Sequence, residues 1–186
     1  YQHQEDALAA ATNSPGHMVV TAGTGSGKTE AFLLPIVSSL LQESRSWPSE
    51  HNSISKWWDD PSSGVKRHRA GSGGRTAAVR SMVLFPMNAL VDDQLTRLRR
   101  ALDSDAAHEW LDANRGGNRF YFGRYTGGTP VSGKFPGINR KGGNTPKLRE
   151  YLISTQRRRR DALTAIHERG LDADAAFFVP RLDGAE

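Results

Sequence analysis

The chain has 186 residues, a net charge of +5 and no cysteine, which is enough length for one domain with a real core. The missing cysteines exclude disulfides, thiolate zinc sites and cysteine-held iron–sulfur clusters within this stretch. Hydrophobic residues make up 37% and charged residues 24%, an ordinary globular balance, and no run approaches the roughly 18 apolar residues that would span a membrane.

The chain opens at Tyr1 with no signal-peptide or targeting pattern. It reads as an excerpt from a longer protein, and the composition is compatible with a cytoplasmic home. The charge is uneven. Residues 115–160 carry 12 basic residues and one acid, Glu150, a net of +11, whereas residues 1–114 have a net of −2 and residues 161–186 a net of −4. A local excess of this kind is the electrostatic footprint of a polyanion partner. It is equally what a solvated surface segment carries.

Residues 2–12 are rich in helix formers and are broken by Asn13-Ser14-Pro15-Gly16. A short buried-strand pattern follows at Met18-Val19-Val20-Thr21 and leads into the Gly-rich stretch Ala22 to Gly27. A helix is predicted from Lys28 to about Glu43, with Phe32, Leu33, Ile36, Val37, Leu40 and Leu41 on one broad face. Pro35 inside it predicts a kink or an early break. Residues 45–78 read as an insertion or long loop. A second strand is predicted at Val79–Phe85, a helix from Asn88 to about Leu102 and a third strand at Arg119–Tyr125. Residues 126–146 are Gly- and Pro-rich and basic. Residues 147–169 read as a long polar helix, with 131–170 as a whole a basic helical insertion. Phe177-Phe178-Val179 could form a last short strand. Strand, loop, helix, strand, helix, strand is the rhythm of a parallel α/β sheet.

AGTGSGKT at residues 22–29 lies between a predicted strand and a predicted helix, the context that turns a Gly-rich string into a phosphate loop. Glycines let backbone N–H groups curl around phosphate oxygens, and the helix start adds its positive end. Thr24, Gly25, Ser26, Gly27, Lys28, Thr29 and Glu30 are the candidate nucleotide-binding residues. Lys28 would reach the β/γ-phosphates of ATP, and the Thr29 hydroxyl would ligate Mg²⁺; these two are also the candidate catalytic residues. The first glycine of the general pattern is replaced by Ala22.

Ala-x-x-Gly-x-Gly-Lys-Thr resembles the phosphate loop of superfamily 2 helicases of the DEAD/DEAH type, and three further stretches carry the resemblance. Tyr-Gln-His-Gln at 1–4 resembles the Q motif, which implies that Gln4 pairs with the adenine edge and that Tyr1 lies near the base. LFPMNALVDDQ at 84–94 resembles motif Ia, which implies backbone contacts to nucleic acid from Asn88 and Gln94, with Pro86 as scaffold. YTGGTP at 125–130 resembles the Gly-Gly element after motif Ia, which implies further backbone contacts from Thr126, Gly127, Gly128 and Thr129. In wording these stretches are similar to a bacterial group that includes MrfA-type DNA-repair helicases and the helicase subunit of the DISARM antiphage system.

The resemblance implies the front of a RecA-like phosphate-loop NTPase domain, built on a parallel sheet. The partners it implies are nucleic acid, with DNA favoured, a second RecA-like domain of the same protein, and partner subunits; no membrane is implied. It implies an ATP-driven helicase or translocase in the full-length protein. The chain has no Asp-Glu-x-His or Asp-Glu-Ala-Asp stretch, so it is expected to cradle nucleotide without hydrolysing it. Two other readings stay open: a phosphate-loop switch or non-helicase motor, and a nucleic-acid-binding module with a vestigial nucleotide site.

Overall fold

The structure is a computed structural model. It describes residues 1–13, 16–21, 23, 25–49, 56–65, 78–127, 129, 145–170 and 173–182. The chain divides into two compact units. The first comprises Tyr1–Pro48 with Thr76–Met82, and the second comprises Ser49–Arg75 with Val83–Glu186.

The first unit is a helix pair. Helix α1 spans Gln2–Asn13 and α2 spans Lys28–Glu43, and the two pack on each other. Each contributes a small, fully buried residue, Ala7 on α1 and Ala31 on α2, so their backbones approach closely. Helix α2 runs on through Pro35, where the sequence predicts a kink or break. A single 3₁₀ turn, Ser44–Ser46, follows it. Glu43 closes the unit: its carboxylate accepts from Arg80 at 2.9 Å and from the Trp47 indole at 3.2 Å.

The second unit has two clusters. In one, the 3₁₀ turn Trp57–Asp59 packs on helix α5, Thr145–Arg169. Trp57, Trp58 and Val65 are buried there against Leu148, Leu152 and Leu182. The two indole rings meet edge to face at 6.2 Å, a favoured aromatic geometry. The Trp58 indole N–H donates to Gln156 Oε1 at 2.9 Å. These tryptophans therefore pack the turn onto α5.

In the other cluster, helix α3 (Asn88–Leu102), helix α4 (Asp105–Arg115) and the 3₁₀ helix Ala173–Phe178 come together. Leu95, Leu111, Phe120 and Ala176 are buried. Arg99, also buried, donates to the Phe177 carbonyl at 2.9 Å. Helix α4 has standard ends: the Ser104 hydroxyl accepts from the Ala107 N–H, and Gly116 caps the other end at φ 57°. Sequence periodicity had not marked it.

No strand forms among the described residues. The segments 18–21, 79–85 and 119–125, predicted as strands, carry no ladder there, and Phe177–Phe178 lies in the 3₁₀ helix instead. Side chains that a parallel sheet would cover stay exposed: Val19 is 88%, Val79 84% and Leu84 83% exposed. A strand is stable only with hydrogen-bonded neighbours, and the described residues supply none. Of the two predicted insertions, residues 66–77 and 131–144 lie outside the described residues. The remainder of the second is α5, which begins two residues earlier than predicted.

Candidate nucleotide and nucleic-acid sites

The nucleotide site is built where the loop enters α2. Gly25 and Gly27 have φ of 74° and 81°, a left-handed conformation that only glycine adopts without strain. A side chain at Gly25 would meet nothing within 4 Å, so the loop is open on that side. At Gly27 it would collide with the Gln4 amide. The loop is closed by its own polar groups. The Gly23 carbonyl accepts from the Ser26 hydroxyl at 2.7 Å and from the Lys28 ammonium at 2.5 Å. Lys28 thus reaches back along the loop it follows. Thr29 and Glu30 lie in the first turn of α2, at the positive end of the helix dipole.

Gln4 is the second element. Its side-chain N–H donates to the Gly27 carbonyl at 2.9 Å, so α1 is latched to the phosphate loop. Tyr1 is 77% exposed, and its ring lies 5.8 Å from that of His3 at a 34° tilt. His3 Nε2 is buried with no hydrogen-bond partner among the described residues, a polar atom with no signal in the sequence. The structure thus brings Tyr1, Gln4, Gly25, Ser26, Gly27, Lys28, Thr29 and Glu30 to one end of the helix pair. Thr24 lies outside the described residues.

The phosphate-loop residues fit the group expected of them. Among the described residues nothing crowds Gly25, the Lys28 ammonium is bonded to the loop, and the Thr29 hydroxyl follows it. For Mg²⁺ the chain offers the single Thr29 oxygen. That suits an ion that takes one or two protein ligands, with nucleotide phosphates and water completing its shell.

The residues of the second unit assigned to nucleic acid fall on two segments. Asn88 opens α3 and is exposed, as is Pro86 just before it. Gln94 is six residues on, which places it about 120° around the helix from Asn88. Its side-chain N–H donates to Asp93 at 3.0 Å, and its Oε1 is buried without a partner. Thr126 and Thr129 close a tight turn. The Thr126 N–H donates to Thr129 Oγ1 at 2.8 Å, and the Thr129 N–H to the Thr126 carbonyl at 3.0 Å. Gly127 at its tip is exposed, and Gly128 lies outside the described residues. An ion pair joins the segments: Arg124 binds the Asp92 carboxylate. Neither residue stood out in sequence, because nothing in the spacing from 92 to 124 pairs them.

Three carboxylates are held below their ordinary range. Hydrogen bonds from Ser62 lower Asp60, Arg181 lowers Asp105, and Arg119 lowers Asp112. All three are structural anchors of the second unit.

A glycine-bent loop carrying Lys-Thr into a helix, with a glutamine latched to it from the preceding helix, defines a nucleotide-binding protein of the helicase kind. The chain belongs to the DEAD/DEAH box helicase family, whose profile matches residues 1–119; membership carries the RecA-like phosphate-loop fold. Among proteins similar to it is the Druantia protein DruE of Escherichia coli (strain UMEA 4076-1), 35% identical over 135 residues that cover 72% of this chain. The chain spans 6% of the length of that relative. No solved structure matches it. Among the described residues, no helix is long and apolar enough to cross a membrane.

Proposed function

We propose that this chain is the nucleotide-gripping and strand-gripping front of an ATP-driven DNA helicase or translocase, with Mg-ATP as its fuel. The observation that carries the reading is the phosphate loop: Gly25 and Gly27 in left-handed conformation, followed by Lys28 and Thr29 at the start of α2. Lys28 would leave the Gly23 carbonyl for the β/γ-phosphates, exchanging a neutral acceptor for an anionic one. Bound Mg²⁺, held by Thr29 and the phosphates, would offset negative charge there. Gln4 would hold the Gly27 peptide in place and present its remaining N–H and carbonyl to adenine, which one amide can do at once.

Asn88 and the Thr126–Thr129 turn would meet the sugar–phosphate backbone, which carries no base code, so binding would be largely sequence-independent. A parallel sheet under these loops would place both at strand ends, where open α/β sheets bind ligands. The same reading makes this stretch alone a weak Mg-ATP binder without turnover. The similarity of these stretches to repair and antiphage helicases favours genome maintenance or defence as the setting.

The test is the ATPase rate of the full-length protein with and without single-stranded DNA. Stimulation by DNA and its loss in Lys28→Ala are expected. A rate indifferent to DNA would favour a nucleotide switch.

A further inference from the structure

We propose that Arg124 and Tyr125 are two further contacts of the nucleic-acid path, Arg124 to a backbone phosphate and Tyr125 to the face of an unpaired base. The proposal rests on the helicase reading above and adds to it Arg124, which lies outside the motifs, and Tyr125, which opens the YTGGTP stretch and was given no role there.

Asp92 lies one turn after Asn88, so the two share a face of α3. Arg124 lies two residues before Thr126. The Arg124–Asp92 pair therefore draws together the two segments held to grip the backbone. Both side chains remain open to water, 39% exposed for Arg124 and 59% for Asp92. A guanidinium has five N–H donors in a planar fork, so the bond to Asp92 leaves donors to spare on the outer side. Replacing or sharing a carboxylate with a phosphate exchanges one oxyanion for another, the geometry a guanidinium serves best. Asp92 is then a positioning residue: it holds the fork at the start of α3 until a phosphate arrives.

Tyr125 follows directly and is 79% exposed. Single exposed aromatics are common, but this one lies between a cation and a turn whose Gly127 tip is also exposed. Gripping a single strand without reading its sequence needs a positive groove for the backbone and an aromatic face for the bases. Arg124 and Tyr125 supply one of each on consecutive residues.

The experiment titrates the full-length protein with fluorescein-labelled oligothymidylate at several salt concentrations. Arg124→Gln should lower the log–log salt slope by about 0.7, the share of one single-strand phosphate, and Arg124→Lys should restore it by keeping the charge. Tyr125→Ala should weaken binding by on the order of ten-fold at fixed salt with an unchanged slope, and Tyr125→Phe should bind as wild type. An Arg124→Gln slope superimposable on wild type would overturn the phosphate contact, and Tyr125→Ala within two-fold of wild type would overturn the stacking. If Arg124→Gln fails to fold, Asp92→Asn decides. A released Arg124 should bind DNA at least as tightly as wild type, and several-fold weaker binding would show Arg124 to be a staple only. Absence of salt-dependent binding by the wild type would instead fail the helicase reading, and is seen before any substitution is made.

Discussion

Arg149 is the side chain on which the tryptophan turn depends, and its removal gives the sharpest test of the second unit. Its guanidinium donates to four main-chain carbonyls: Trp57 at 3.3 Å, Trp58 at 3.0 Å, Asp60 at 2.6 Å and Ser63 at 2.8 Å. It also lies over the Trp57 ring at 5.2 Å. A hydrogen bond from a charged donor contributes about 1.5–3 kcal/mol, but bonds in one network do not add. One of the four is long and one is exposed. Two effective bonds at the low end, with about 0.5 kcal/mol for the ring contact, give about 3.5 kcal/mol lost in Arg149→Ala. That is a large fraction of the ~5–15 kcal/mol that stabilises a domain.

Tryptophan emission during thermal melting is the assay, because Trp57 and Trp58 are 5% and 4% exposed and are two of four tryptophans. The variant should melt at lower temperature with red-shifted emission. Arg149→Lys should recover little, since an ammonium cannot span four carbonyls. An Ala variant within about 0.5 kcal/mol of wild type, the range of an ordinary surface substitution, would refute the anchoring role of Arg149.

Other outcomes follow from the same contacts. Lys28→Ala should abolish ATPase activity of the full-length protein, since the lysine would offset charge on the transferred phosphoryl group; near-normal turnover would remove it from the site. Gln4→Glu should weaken Mg-ATP binding and lose preference for ATP over GTP, because a carboxylate cannot donate to Gly27 or adenine; a competition assay reads both effects. Asp105 and Asp112 are lowered by arginines from their usual 3.8. Their stabilisation is therefore complete above that value and lost as pH falls through the lowered ones. Both are exposed, so Asp105→Asn with Asp112→Asn should cost at most about 1 kcal/mol at neutral pH and flatten the acid limb of the melting curve. Arg159→Gln should lower the melting temperature without changing the DNA salt slope. Arg157 and Arg160 replaced together by Gln should flatten the slope by up to about 1.4, two single-strand contacts, if they meet phosphate; titration of both variants separates the roles.

The helices were legible where local chemistry marks their ends. Gly27 before Lys28 and Pro86 before Asn88 fixed the starts of α2 and α3, and the apolar face of α2 was plain. Helix α4 was missed because its apolar residues are few and its Ser104 cap lies in a polar stretch. The strands were the reverse case: their apolar runs were clear, but pairing is non-local and the neighbours that would cover Val19 or Leu84 are not among the described residues. At the nucleotide site the loop was legible because glycine and Lys-Thr are needed at fixed spacing. That Gln4 also latches Gly27 was not, since a side-chain bond across 23 residues leaves no local signature.

The basic segment shows how far net charge stands from contact. Its sequence surplus of +11 reads as one positive surface, yet the described arginines are largely committed within the protein. Arg119 pairs with Asp112 at 2.7 Å, and Arg115 lies 5.0 Å from the Trp110 ring. Arg149 holds four carbonyls, and Arg159 binds the Ala176 and Val179 carbonyls. A carbonyl satisfies an arginine's hydrogen bonds without cancelling its charge, so Arg149 and Arg159 still add to the field that steers a polyanion. They cannot contribute to the salt slope, because that counts phosphates neutralised at the surface. The run at 157–160 divides in the same way. Successive side chains turn by about 100°: Arg159 faces inward, Arg158 donates to the buried Thr155 hydroxyl at 3.3 Å, and Arg157 and Arg160 are exposed. Arg157 there stands 3.8 Å from Asp161. Of this run, Arg157 and Arg160 are therefore the two whose removal should leave the fold intact.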